Sequence, residues 1–111
     1  MEIIETQDQN YSIVTVKGRI DSYTAPDFSE SLKSINTRGV FNIILDLRDV
    51  VYISSAGLRV LIDILKVCHK SNNGELILVN VPARINETLG LAGFAPLFRI
   101  FPDVQSAIEQ Y

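Results

Sequence analysis

Two adjacent hydroxyls, Ser54 and Ser55, stand between an apolar run and the segment Ala56-Gly57-Leu58-Arg59 that opens an amphipathic stretch. A serine at such a junction lies where a helix presents unpaired backbone N–H groups and a partial positive charge. Phosphate fits there at little structural cost, so the chemistry this pair suits is a reversible phosphoryl mark on Ser55. Serine is also a favoured N-cap, which accounts for one hydroxyl and less well for two. Gly57 is unfavourable in a first helical turn by propensity, so the sequence predicts a close approach of another backbone there.

Nucleophilic catalysis is the competing chemistry. Ser55-Ala56-Gly57 supplies half of a G-x-S-x-G elbow, but Ile53 stands where the leading glycine belongs. The one histidine, His69, lies at the far end of the same helical stretch. At ~1.5 Å per residue the two are roughly 20 Å apart, beyond any hydrogen bond. No catalytic pair remains, and an enzyme is not expected. GxxxxGK[ST] and GxGxxG are both missing, so no cofactor is expected. Cys68 is the only cysteine, which removes disulfides and CxxC sites. For metals only carboxylates are left. Asp21, Asp46 and Asp49 could meet at strand ends but read as exposed turn carboxylates, so no metal site is expected either.

The elements that must position the serines follow from periodicity. At 111 residues the chain fits one domain, 1–111, with no linker or repeat. Ile3 to Thr6 and Tyr11 to Lys17 read as an antiparallel strand pair. Thr24 is placed to cap a helix with Pro26 and Asp27 in its first turn, Ala25, Phe28, Leu32 and Ile35 on one face, and Gly39 at its end. Phe41 to Leu47 is a nearly continuous apolar run, as in a central strand. A second helix from about Ala56 to Lys70 turns Leu58, Leu61, Leu65 and Cys68 inward, widened by Val60, Ile64 and Val67. Arg59, Asp63, Lys66 and Lys70 follow its opposite stripe. Glu75 to Val81 is a strand, Pro82 opens a third helix carrying Ile85 and Leu89, Leu97 to Phe101 is a short strand, and Asp103 to Gln110 closes the chain as a helix. Turn signals fall at Asp8 to Asn10, Gly39, Asn72-Asn73-Gly74, Gly93 and Pro102-Asp103. Together these predict an α/β fold: a four- to five-stranded mixed, largely parallel sheet with about four helices.

Charge and hydropathy narrow the partners. A net charge of −3, with no Lys/Arg run interleaved with aromatics, gives no footprint for nucleic acid. No apolar stretch is long enough for membrane insertion. Met1-Glu2-Ile3-Ile4-Glu5 lacks the basic end and apolar run of a signal peptide, so a cytoplasmic location is expected.

Ile44-Leu45-Asp46-Leu47, Val50 and Tyr52-Ile53-Ser54-Ser55-Ala56-Gly57-Leu58-Arg59-Val60-Leu61 resemble the signature of STAS domains, and within them the bacterial anti-sigma factor antagonists. Gly18-Arg19-Ile20-Asp21 followed by Thr24-Ala25 resembles a second landmark, a G-x-[IL]-D turn into the first helix. Pro82-Ala83-Arg84-Ile85 with Leu89 to Phe94 resembles a third. The resemblance spans essentially the whole chain and implies a single STAS-type domain.

Family members usually carry Asp-Ser-[Ser/Thr/Ala]-Gly-Leu, phosphorylated on the serine after the aspartate. The resemblance thus implies that Ser55 is the phosphoacceptor, with Ser54 in place of the aspartate and the less favoured acceptor, and that Asp21 lies at the same surface. It also implies a partner-switching cycle. The unphosphorylated protein binds an anti-sigma factor that is also a serine-protein kinase, freeing the sigma factor. Phosphorylation releases it, and a PP2C-type phosphatase resets it. Asp21, Ser54, Ser55, Gly57, Arg59 and Asp63 are the expected partner-binding residues, and a monomer is expected. The alternative is a non-phosphorylated STAS adaptor of a transporter or other signalling assembly.

Overall fold

The computed structural model describes residues 1–71 and 74–111, so the turn expected at Asn72-Asn73 lies outside the described residues. A five-stranded sheet in the order β1-β2-β3-β4-β5 is built from Glu2–Gln7, Ser12–Ile20, Asn42–Ile53, Glu75–Val79 and Arg99–Phe101. β1 runs antiparallel to β2, and every other neighbouring pair is parallel. Helices α1 (Ala25–Thr37), α2 (Ser55–Lys70) and α3 (Ala83–Leu91) are the crossovers between parallel strands, and α4 (Val104–Ile108) follows β5.

Because the strand order never reverses, right-handed crossovers leave α1, α2 and α3 on the same face of the sheet. Ile43, Leu45 and Leu47 of β3 point to that face, where Phe28, Leu32, Leu61, Ile64 and Leu89 pack on them. Ile44 points the other way, into a smaller cluster with Ile77, Val79 and Ala107 beneath α4. Alternate residues of β3 thus serve two apolar layers, which is why its central run reads as continuous rather than alternating.

Several element boundaries differ from expectation. β3 continues through Arg48 and Asp49 to Ile53 rather than ending at Leu47. Its register against β2 shifts twice, between Thr15 and Lys17 and between Gly18 and Arg19, so β3 accommodates two extra residues. Those bulges turn two charged side chains to solvent without ending the strand. Gly18-Arg19-Ile20 is likewise the end of β2, not a turn, and the turn begins at Asp21. β4 stops at Val79, and β5 is confined to Arg99–Phe101 behind a 3₁₀ turn at Ala95–Leu97. On α2, Val60 and Ile64 are buried as expected, whereas Val67 is exposed. No helix among the described residues is long and apolar enough to cross a membrane.

Candidate functional site

The ends of β2 and β3 lie side by side, with Ile20 opposite Ile53. The chain leaves β2 through Asp21 and β3 through Ser54, and the Ser54 amide donates to the Ile20 carbonyl at 2.8 Å. That bond places the start of α2 against the loop that starts α1. The two hydroxyls then separate in role. Ser54 is the N-cap of α2, extended at φ −89° and ψ 174°, and its side chain accepts from the Gly57 amide at 3.3 Å. Ser55 is the first residue of the helix and is exposed. The cap occupies Ser54, so the Ser55 side chain is not needed to close the helix end.

Gly57 is buried, and its role is steric. A Cβ there would stand 2.7 Å from Ile20 Cγ2 and 2.7 Å from Ile53 Cγ1. Absence of a side chain lets the first turn of α2 settle onto the strand ends, as its position in the sequence predicts. Among the expected partner-binding residues, Gly57 is the buried one, and it shapes the surface from beneath.

Asp21 is the true cap of the turn entering α1. Its Oδ1 accepts from the Tyr23 and Thr24 amides at 3.0 and 3.1 Å. The Thr24 hydroxyl accepts from the Asp21 amide at 2.9 Å and donates to the Arg19 carbonyl at 2.9 Å. This is a reciprocal box, with Asp21 in the capping position and Thr24 three residues on. The cap expected at Thr24 is therefore displaced to Asp21, because Thr24 already has helical dihedrals and makes no cap bond to the helix it precedes. The Thr24 N–H first, then the Tyr23 N–H, the Thr24 hydroxyl and Arg19, hold the Asp21 carboxyl below the usual carboxylate range against partial desolvation. Arg19 Nε lies 3.6 Å from Asp21 Oδ2, and its guanidinium sits 4.5 Å from the centre of the Tyr52 ring. With Arg19 60% exposed, that ion pair adds little stability.

Arg59, Asp63 and Lys66 are exposed on α2, one turn after another behind Ser55. With Leu58 and Ile62 they form one wall of a cleft of about 610 Å³ that begins at Ser55. Ala92 and Phe94 form the other wall. Sequence reasoning missed those two as site residues. The signal was present, because Gly93 adopts φ +76° and the Phe94 amide returns to the Leu89 carbonyl at 2.9 Å. That reversal turns the segment after α3 back toward α2. Leu91, the residue before Ala92, is 84% exposed, and Tyr23, in the turn entering α1, is 92% exposed.

The other chemistry-bearing residues do not converge. Asp46 and Asp49 are strand residues opposite Thr15 and Lys17, not turn carboxylates, because β3 is longer than its apolar run. Among the described residues no three His, Cys, Asp or Glu side chains are grouped to hold a metal ion. Cys68 is buried under α1, its thiol pushed up to about 11 by desolvation, which suits a packing role. His69 is exposed near the other end of α2.

Comparison with known proteins agrees with this fold. The family model of the STAS domain matches residues 2–107. The anti-sigma-B factor antagonist of Staphylococcus aureus is 33% identical over 95 residues, covering 86% of this chain and 86% of that protein. A Thermotoga maritima protein assigned as an anti-sigma factor antagonist superposes with a TM-score of 0.89 at 23% identity, over 97% of this chain and 92% of that one. The anti-sigma factor antagonist SpoIIAA in its unphosphorylated form superposes at 0.83 with 13% identity, over 98% and 95%. This chain belongs to the STAS domain family.

Proposed function

We propose that this chain is a cytoplasmic anti-sigma factor antagonist whose docking surface is switched by phosphorylation of Ser55. In the unphosphorylated form it binds an anti-sigma factor that is also a serine-protein kinase, and the sigma factor is freed. The kinase then transfers the γ-phosphoryl group of ATP to the Ser55 oxygen. The bond between the γ-phosphorus and the β,γ-bridging oxygen breaks, ADP leaves, and the hydroxyl proton passes to a base of the kinase. A PP2C-type phosphatase returns the serine by hydrolysis. The chain itself supplies the acceptor hydroxyl and the surface, and no catalytic group.

The observation that carries this reading is the division of labour between the two serines. Ser54 closes the helix, and Ser55 stands exposed at the edge of a cleft. The likeness to the staphylococcal anti-sigma-B factor antagonist supports the choice of partner. A phosphate on Ser55 adds about −1.5 to −2 charges beside the Asp21 carboxylate. Closing a partner over that unmatched charge costs a few kcal/mol, or about 100-fold in affinity. Because the charge is added to a solvated helix end whose cap is already made, release requires no change of fold.

Incubation with ATP and an anti-sigma factor kinase, read by intact-mass spectrometry, tests the assignment. One phosphate is expected on the wild type and on Ser54→Ala, and none on Ser55→Ala. Equal phosphorylation of Ser55→Ala would overturn it, and no phosphorylation of any form by any such kinase would leave an adaptor role in its place.

A further inference from the structure

Ser55 and Arg59 are four residues apart on α2, and both line the same wall of the cleft. Side chains at that spacing are neighbours on one helical face, with Cβ atoms about 5–6 Å apart. Arg59 makes no ion pair among the described residues, whereas the other nearby guanidinium, Arg19, is already engaged by Asp21 and the Tyr52 ring. Lys66 lies further along the helix, ~16 Å in rise from Ser55, too far to touch a group there. We infer that Arg59 is the intramolecular receiver of the phosphoserine at position 55. Its planar fork closes on two phosphate oxygens as soon as the group is added.

This rests on the phosphorylation of Ser55 and assigns its consequence at the surface. The charges facing a phosphate on Ser55 are few. Arg59 comes from α2, with Asp63 and Lys66 further along the same helix, Asp21 from the turn entering α1 and Arg19 from the end of β2. The opposite wall of the cleft, Ala92 and Phe94, carries no charge. Asp21 opposes the second ionisation of the phosphate, and Arg59 is the uncommitted cation within one helical turn that favours it. Phosphorylation therefore acts twice on the docking surface. It adds a dianion, and it withdraws Arg59 from the rim by engaging its guanidinium. A partner that reads Arg59 in the free protein loses that cation when the mark is written.

The test separates this from the question of whether a kinase acts on the chain, because phosphoserine is installed at position 55 during synthesis by codon reassignment. The ³¹P chemical shift is followed against pH in the wild type, Arg59→Gln, Arg59→Lys and Lys66→Gln. An opposite charge close by lowers an ionisation, so the second phosphate pKa is expected to rise by about half a unit in Arg59→Gln. In Arg59→Lys part of that rise is expected, since charge remains without the bidentate fork. Lys66→Gln is expected to match the wild type. Equal pKa values in wild type and Arg59→Gln, or an equal rise in Lys66→Gln, would overturn the assignment. Circular dichroism of each variant confirms that the helix is intact. Failure of the ³¹P test leaves Ser55 phosphorylation standing, and failure of kinase transfer leaves the ion pair standing.

Discussion

The Ser54 amide donates to the Ile20 carbonyl at 2.8 Å, so the strand ending at Ile20 and the helix starting at Ser55 share one anchor. Everything at the site inherits its position from that bond. It brings the Asp21 turn next to the start of α2, and it holds the first helical turn close enough that only glycine fits at position 57.

Gly57→Ala is expected to be destabilising, since its Cβ would overlap Ile20 and Ile53 at 2.7 Å. Overpacking of this kind costs about 1–3 kcal/mol. Urea denaturation followed by circular dichroism reads the loss, and an unchanged midpoint would mean that α2 shifts freely on the strand ends.

Ser54→Ala removes the hydroxyl that accepts the Gly57 amide. A lost N-cap costs about 1 kcal/mol. The same variant is expected to remain a full substrate for phosphorylation at Ser55, because the cap and the acceptor are different residues. A thermal melt and a phosphorylation time course on one preparation check both halves.

Acid stability carries the signature of Asp21. Its folded-state carboxyl lies below the ordinary value because backbone amides and the Thr24 hydroxyl bind the ionised form. A depressed folded value contributes stability that is complete above the unfolded pKa, about 3.9, and is lost as pH falls through the lowered one. Asp103 behaves in the same sense at the cap of α4. Melting temperatures measured downward from pH 6 are therefore expected to fall below pH 4 in the wild type and to fall less steeply in Asp21→Asn. Parallel curves would show that the cap does not prefer the carboxylate.

Asp63→Lys reverses a charge on the exposed wall of the cleft without touching the core. Weakening of anti-sigma factor binding by roughly tenfold, about 1.4 kcal/mol, is expected with no change in melting temperature. Calorimetric titration measures it. Wild-type affinity would place the docking surface elsewhere.

How far the sequence alone reaches is clearest element by element. The α/β order, the inward residues of α1 and an exposed serine at the mouth of α2 were legible, because each is written in local periodicity or in one junction. Gly57 was legible too, since a glycine in a first helical turn needs a reason and close packing is the usual one. The length of β3 was not. Arg48 and Asp49 break its apolar run, and only the pairing with Lys17 and Gly18 across two bulges shows that the strand continues. The cap of α1 was misplaced for a related reason. Asp21 and Thr24 are both good caps by type, and the choice between them depends on which backbone amides each one faces in three dimensions. Phe94 and Ala92 meet Arg59 and Ile62 only through the return of the chain after α3, and no spacing within α2 announces a wall supplied from elsewhere.

The most direct measurement is calorimetric titration of an anti-sigma factor with this protein in its unphosphorylated form and with phosphoserine at position 55, each checked by circular dichroism. Tight binding by the first, weakening of about 100-fold or more by the second, and superimposable spectra are the expected results. Equal affinities of the two forms would contradict the switch at Ser55. A lost affinity accompanied by an altered spectrum would contradict the claim that charge alone, on an unchanged fold, sends the partner away.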